Sequence, residues 1–420
     1  MLRAGSLFYA LAISVIIALL SSSLLLAAHF SRLSLQQDAA AEEVIRNANS
    51  GLQLLMSAEY DASREVAGTD LFGRGMDSVQ LSLKAWGAFE IALVRAHRNR
   101  FSYELIASVG WQPGADDRTA LTLADLDRPL SVTGKTELRG DCYLPKSGIK
   151  RAYIEGESYN GSQLVYGLQK KADRFLPEYN DTLVKRIERL FNFIPGAADS
   201  VLPLAVFLAE DSISNSFRNR PLYIFSSGAL SIRSKYISGQ VCIISRQSVQ
   251  VEKSCMLKNV LIIAPEIQIA DEVQGQFQAF ARDSLETGKD LLLHYPSVLG
   301  LVATEKSPAR ALLRLGTNSF VTGQLFACSL ANDFKKQVIV QLEKESAVYG
   351  SIYSGGLVDL KGTVSGDVTC AKFELRTASA VYENHLMNAV IDRPRRSAAF
   401  VASAITRRKS DHKAVVEWLE

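Results

Sequence analysis

Residues 346–377 read SAVYGSIYSGGLVDLKGTVSGDVTCAKFELRT, and they contain one motif twice, sixteen residues apart. The motif is apolar-x-Gly-x-apolar-x-(small or apolar). Its two copies are Val348-x-Gly350-x-Ile352-x-Ser354 and Val364-x-Gly366-x-Val368-x-Cys370. Alternation with period two marks a short strand with one buried face. A repeat of sixteen residues has no room for a helix, so neither copy can cover its own apolar row. Stacking copy upon copy buries those rows, which is the logic of a solenoid. The glycine marks a bend, where a side chain would crowd the corner.

Outward from this stretch the motif recurs at Leu138-x-Gly140-x-Cys142-x-Leu144 and Ile237-x-Gly239-x-Val241-x-Ile243. It recurs again at Val273-x-Gly275-x-Phe277-x-Ala279 and Val321-x-Gly323-x-Leu325-x-Ala327. Leu230/Ile232, Val249/Val251 and Ile267/Ile269 follow one another at intervals of nineteen and eighteen residues. The rival architecture is an antiparallel sandwich with glycine turns, whose strands seldom keep so short and regular a spacing. The expected fold is therefore mainly β, with a right-handed parallel β-solenoid over 131–395. In it Ala279, Ala327, Ser354 and Cys370 should form an internal ladder of small residues. A mixed α/β insertion is expected at about 165–225. There Asp181–Asn192 reads as a helix with Leu183, Ile187, Leu190 and Phe191 on one face. Pro195-Gly196 stops it, and Val201–Leu208 reads as a buried strand.

This same stretch resembles bactofilins, polymer-forming β-solenoid proteins, through Val348, Gly350, Ile352, Val364, Gly366 and Val368. That resemblance implies self-association through solenoid ends.

At the other end of the chain, Leu7–Ala28 is twenty-two residues without a charge. As a helix it spans about 33 Å, enough for a bilayer core of about 30 Å. A cleaved signal peptide is the rival. The apolar run is longer than the usual signal core, and Leu26-Ala27-Ala28 is a poor small-x-small site. Arg3 before the span, with Asp38, Glu42 and Glu43 after it, places the N-terminus in the cytoplasm. The bulk then lies in the periplasm or outside, the membrane being the bacterial inner membrane crossed once. Helical spacing continues through Leu33, Ala40, Val44, Ala48, Leu52 and Leu55 to about Met56, giving an anchor and stalk over 1–57. This layout resembles the N-terminus of type IV pilin-like minor pseudopilins. Gly5-Ser6 stands where that family is processed, and Ala10 where it carries a glutamate.

Residues 58–130 read as a small β-rich region, with strands at 79–86, 89–94 and 101–107. The tail, 396–420, has an apolar segment, Ala398–Ile405, suited to closing an open turn. Basic residues flank it: Arg393, Arg395, Arg396, Arg407, Arg408, Lys409 and Lys413.

Composition is that of a folded protein, 47% hydrophobic and 22% charged, with a net charge of only +3. Nothing in it points to nucleic acid. The five cysteines form no CxxC pair and read as small buried hydrophobes. The histidines (His29, His97, His294, His385, His412) are dispersed. Nucleotide, zinc-protease and serine-hydrolase motifs are missing from the sequence. No catalytic, cofactor-binding or metal residues are assigned, and no cofactor. Asp359 and Asp367, on neighbouring turns, are the best acidic pair for a carbohydrate-acting enzyme, though they are offset in register and solvated surface charge accounts for them more cheaply. Lys146, Lys150, Arg151 and Glu155 form a polar cluster without an assigned role. The function expected is that of a membrane-anchored, non-enzymatic envelope protein. It would be a structural or assembly component of a pilus-like or secretion apparatus, held in the membrane by Leu7–Ala28 and bound to protein partners. A self-associating scaffold and a carbohydrate-acting β-helix enzyme are the alternatives.

Overall fold

The structure, a computed structural model, describes residues 4–57, 66–73, 75, 77–331, 333, 335–408 and 410–420. The chain divides into two compact units. One comprises Met1–Leu83 and Ala92–Leu105, the other Lys84–Ile91 and Ile106–Glu420.

In the first unit, a single helix, α1 (Ala4–Met56), runs unbroken from the apolar span into the stalk. Its apolar half buries nothing, and Leu7, Leu19 and Leu25 are all exposed. The C-terminal half is amphipathic and buries Val44, Asn47, Ala48, Leu52 and Leu55. These positions recur every three or four residues and so share one face. The strands Val66–Thr69, Asp77–Trp86, Phe89–Arg98 and Phe101–Gln112 follow and neighbour one another in that order, their residues Lys84–Ile91 and those from Ile106 on being counted with the second unit. Gly51 lets the helix lie close on this sheet, because a Cβ there would be 2.9 Å from both Leu81 and Val94. Arg98 pairs with Glu43 of α1 and, at 3.4 Å, with Asp77. The strands expected at 79–86, 89–94 and 101–107 are all present.

The second unit is a stack of parallel rungs. Each rung has three short strands, and the strand residues of one rung pair in register with the next. On the first face the inward column runs Ile237, Leu257, Gly275, Leu293, Val321, Val348, Val364, Ile391, Leu138. On the second it runs Ile224, Ile243, Ile262, Ala279, Leu299, Leu325, Ile352, Val368, Leu121, Cys142. The third carries Leu230, Val249, Ile267, Leu285, Leu313, Val340 and Val358. Strands such as Met256–Ile269 bend from face to face, so the hydrogen-bonded wall closes around a continuous apolar core.

Rung order in space is not rung order in sequence. The strand Thr363–Arg376 pairs on its far side with Val390–Asp392 and with Thr119–Leu123. Those two pieces complete one rung, and Glu137–Arg139 and Asp141–Leu144 stack upon it. Ile149–Arg151 and Gln169–Lys171 come last. The chain then passes to the opposite end of the stack, restarts at Ser200–Val201 and Ser212–Asn215, and winds back. Helix α2 (Asp181–Phe191) accompanies that passage. Asn180 caps it by accepting the Leu183 N–H at 3.1 Å. It packs Leu183, Val184, Ile187 and Phe191 against strands within 241–303, with Val184 more deeply buried than Leu190.

Four expectations are corrected. Val201–Leu208 is not a buried strand: after Ser200–Val201 it becomes helix α3 (Leu204–Ala209), which buries only Phe207. Pro203 lacks a ladder donor, and its φ of −57° suits a helix start. The small-residue ladder holds Ala281, Ala327, Ser354 and Cys370, with Leu301 between the first two, while Ala279 belongs to the adjoining column. Four copies of the glycine motif stack in register, and their glycines share φ values of +122° to +154° at Gly140, Gly323, Gly350 and Gly366. Gly275 is no corner, since it lies in the first-face inward column and Phe277 fills the space beside it. Lastly, Ala398–Ile405 does not close an open rung. It lies over the glycine corners, with Phe400 against Gly350 and Ala402 bridged to Trp111. The tail then ends in a strand, His412–Trp418, paired antiparallel with Ala107–Gln112. All five cysteines are free and buried, as expected of small hydrophobes.

Candidate functional site

The rung made of two chain pieces has a gap where its neighbours have a corner glycine. The first-face strand ends at Asp392, and the chain leaves through the 3-10 turn Arg393–Arg395. The second-face strand begins at Thr119, and the chain arrives through Asp117 and Arg118. Charged side chains fill this gap. Asp117 accepts the Thr119 N–H at 3.1 Å, which fixes its carboxylate. That carboxylate pairs with Arg408, and with Arg393 at 3.7 Å and Arg396 at 3.8 Å. Arg396 also pairs with Asp367, the residue after corner Gly366, and lies over the Phe400 ring. The Arg396 side chain is only 4% exposed, so these are desolvated pairs whose rupture is costly.

Electrostatics follow from this crowding. Burial pushes the Asp117 carboxyl up, but Arg408, the Thr119 hydrogen bonds and Arg393 outweigh it and hold it below the usual value. Burial, with neighbouring Arg396, lowers Arg393. Burial also opposes the charge on Arg408, yet Asp367, Asp117 and Asp411 keep it raised. Asp411 is raised by burial. The arrangement is a clasp that ties the two chain pieces into one rung.

Beside the clasp lie three adjoining depressions. The central one, about 820 Å³, has Gly140 and Gly167 in its floor and Arg118, Tyr166, Arg393 and His412 among its walls. A second, about 1120 Å³, shares Asp117, Arg118 and Asp141 with it and adds Tyr143, Lys170 and Phe175. A third, about 530 Å³, shares Arg396 and Phe400 with the first and adds Tyr295, Tyr349 and Arg395.

Comparison with known proteins adds little to this geometry. No family model matches the chain, and no curated protein does. Among solved structures, the competence-associated pilin ComZ from Thermus thermophilus is similar over 91% of this chain and 97% of its own. The identity is 10% and the TM-score 0.23, too low to establish a shared fold.

The acidic pair Asp359 and Asp367 is not brought together. Asp367 faces Arg396 at the corner. Asp359 lies on the third face, in an outward row with Glu286, Arg314 and Gln341. It is 2% exposed, with Lys361 Nζ at 3.3 Å. Burial, opposed by Lys361, pushes it up to about 6. Lys150 and Arg151 project from the terminal rung, and Glu155 accepts from the Ser379 hydroxyl at 2.9 Å. Of the histidines, His412 lines the central groove, and His385 Nδ1 lies 2.7 Å from the Glu383 carbonyl oxygen. Of the tail's basic cluster, Arg393, Arg396 and Arg408 enter the clasp, and Lys409 lies outside the described residues. Sequence reading missed Asp117, Arg118 and Tyr166. Nothing local marks Asp117, because its arginine partners come from the opposite end of the chain, and Arg118 and Tyr166 sit in no motif.

Proposed function

We propose that this chain is a membrane-anchored, non-enzymatic envelope protein, a structural or assembly component of a pilus-like or secretion apparatus. One observation carries the reading. Helix α1 is continuous, wholly exposed over its apolar half, and packed on a sheet over its amphipathic half. Exposed apolar side chains over a span of bilayer length need a lipid or protein partner. The packed half fixes that span to a folded head. Helix and sheet together match the layout that the pilin-like resemblance implies. A non-enzymatic role fits the separation of Asp359 from Asp367 and the commitment of Asp367 to Arg396. Self-association through bare rung ends has less support. Phe207 of α3 is buried in the core at one end, and Lys170 and Lys171 mark the other edge, a device that discourages strand pairing.

Inner-membrane placement with the bulk outside the cytoplasm is tested directly. The five native cysteines are buried, so a single Ser162→Cys variant reports its own side of the membrane to an impermeant maleimide. Labelling in intact spheroplasts is expected. Labelling only after lysis would reverse the orientation. Deleting residues 1–29 should release a soluble protein, and a truncated chain still sedimenting with membranes would sink the anchor reading.

A further inference from the structure

We propose that the central groove beside the clasp binds an anionic glycan, an extended sugar polymer bearing carboxylates. This goes beyond the anchoring role and does not depend on it.

Most acceptors around the groove are already taken. Asp117 is shared by three arginines, and Asp367 is held by Arg396. Asp141 is held by Lys170 at 2.7 Å and by the Leu168 N–H at 3.1 Å. Donors, by contrast, are left over. Arg118 is exposed and makes no salt bridge among the described residues. Arg393 lines the groove with its side chain 14% exposed, and its Nε has no hydrogen-bond partner among the described residues. A ligand that supplies acceptors, and negative charge in particular, completes the inventory.

Shape narrows the class. In the upper rungs the 393–402 segment covers the glycine corners, with Phe400 over Gly350 and Arg396 beside Gly366. Gly140 and Gly167 line the groove without side chains, and the backbones pack so closely there that a Cβ on Gly167 would fall 2.2 Å from the Gly140 carbonyl oxygen. Flat rings stand along the three depressions at Tyr143, Tyr166 and Tyr349, with Lys170 over the Tyr143 ring and Arg139 over the Tyr166 ring, both at 5.3 Å. A floor free of side chains, spaced rings and arginine side chains with spare N–H donors suit a chain of sugar rings carrying carboxylates. An acidic peptide would satisfy the arginines but would give the rings and the bare floor no role.

The test uses the full chain in detergent micelles, titrated with oligogalacturonate, with neutral dextran oligomers and with poly-glutamate of equal charge. Oligogalacturonate should bind at least about tenfold more tightly than either control. Arg118→Ala should weaken it about tenfold or more, as loss of a charge-assisted hydrogen bond requires. Tyr166→Ala should weaken it as well, with unfolding temperature unchanged in the arginine variant. Poly-glutamate binding as tightly as the sugar would overturn the proposal in favour of a surface for acidic peptide. Affinity for oligogalacturonate that is absent, or unmoved by Arg118→Ala, would overturn it outright.

Discussion

Two neighbouring rungs solve the same corner in different ways. In Ala347–Leu360 and Thr363–Arg376 the chain is continuous, and Gly350 and Gly366 turn it at φ values of +152° and +154° with no side chain at all. One layer further, Val390–Asp392 and Thr119–Leu123 must share a rung without a covalent link at that corner. There the chain places two aspartates and three arginines instead of a glycine. A covalent bend needs only conformational freedom, which glycine supplies locally. A non-covalent junction must be held by directional, desolvated pairs between distant segments, and those need charged side chains with complementary neighbours.

The largest effect should come from breaking the continuous corner. A Cβ on Gly366 would fall 1.7 Å from the Gly350 carbonyl oxygen, so Gly366→Val must displace backbone. A loss above about 4 kcal/mol is expected, enough to abolish cooperative thermal unfolding. An unchanged melting curve would remove the corner assignment.

The clasp should rank next. Asp117→Asn leaves Arg393 and Arg408 without their shared carboxylate and should cost about 3–5 kcal/mol. Hydrogen exchange should rise at 119–123 and 390–392 before it rises at 350–370. Uniform loosening would mean that the two kinds of corner are not distinct. The native Asp117 carboxyl is held below its usual range, so its contribution is present above the unfolded value of about 3.9. It is lost as pH falls through the lowered folded value.

The smallest effect has the opposite sign. Asp359 is pushed up to about 6, so its ionisation opposes folding as pH rises from about 4 to 6. Asp359→Asn should stabilise the chain by about 1–3 kcal/mol at pH 7 and by nearly nothing at pH 4. A variant that is destabilised at pH 7 would show that the Lys361 pair outweighs desolvation.

The same contrast explains which features are legible in the sequence. Local alternation and a glycine requiring positive φ are properties of a few adjacent residues. That is why the four in-register motif copies can be read from their own letters. The copy at Gly275 misleads because the pattern matches while Phe277, two residues on, takes over the filling of that layer. The apolar run at 201–208 misleads because eight hydrophobic letters say nothing of Pro203 starting a helix at the end of the stack. Of the groove, Arg393, Arg396 and Arg408 show in the sequence only as excess charge. Their partner Asp117 looks like any surface aspartate.

The sequence alone determined the membrane-length apolar helix, its amphipathic continuation and the presence of stacked parallel rungs, because each depends on spacing within one short segment. Tertiary structure alone decided that residues 119–171 stack beyond 376–392, that a clasp of arginines and aspartates joins them, and that a groove opens beside that junction. Those outcomes depend on which distant surfaces meet, and hydrophobic periodicity is the same whichever rung lies above or below.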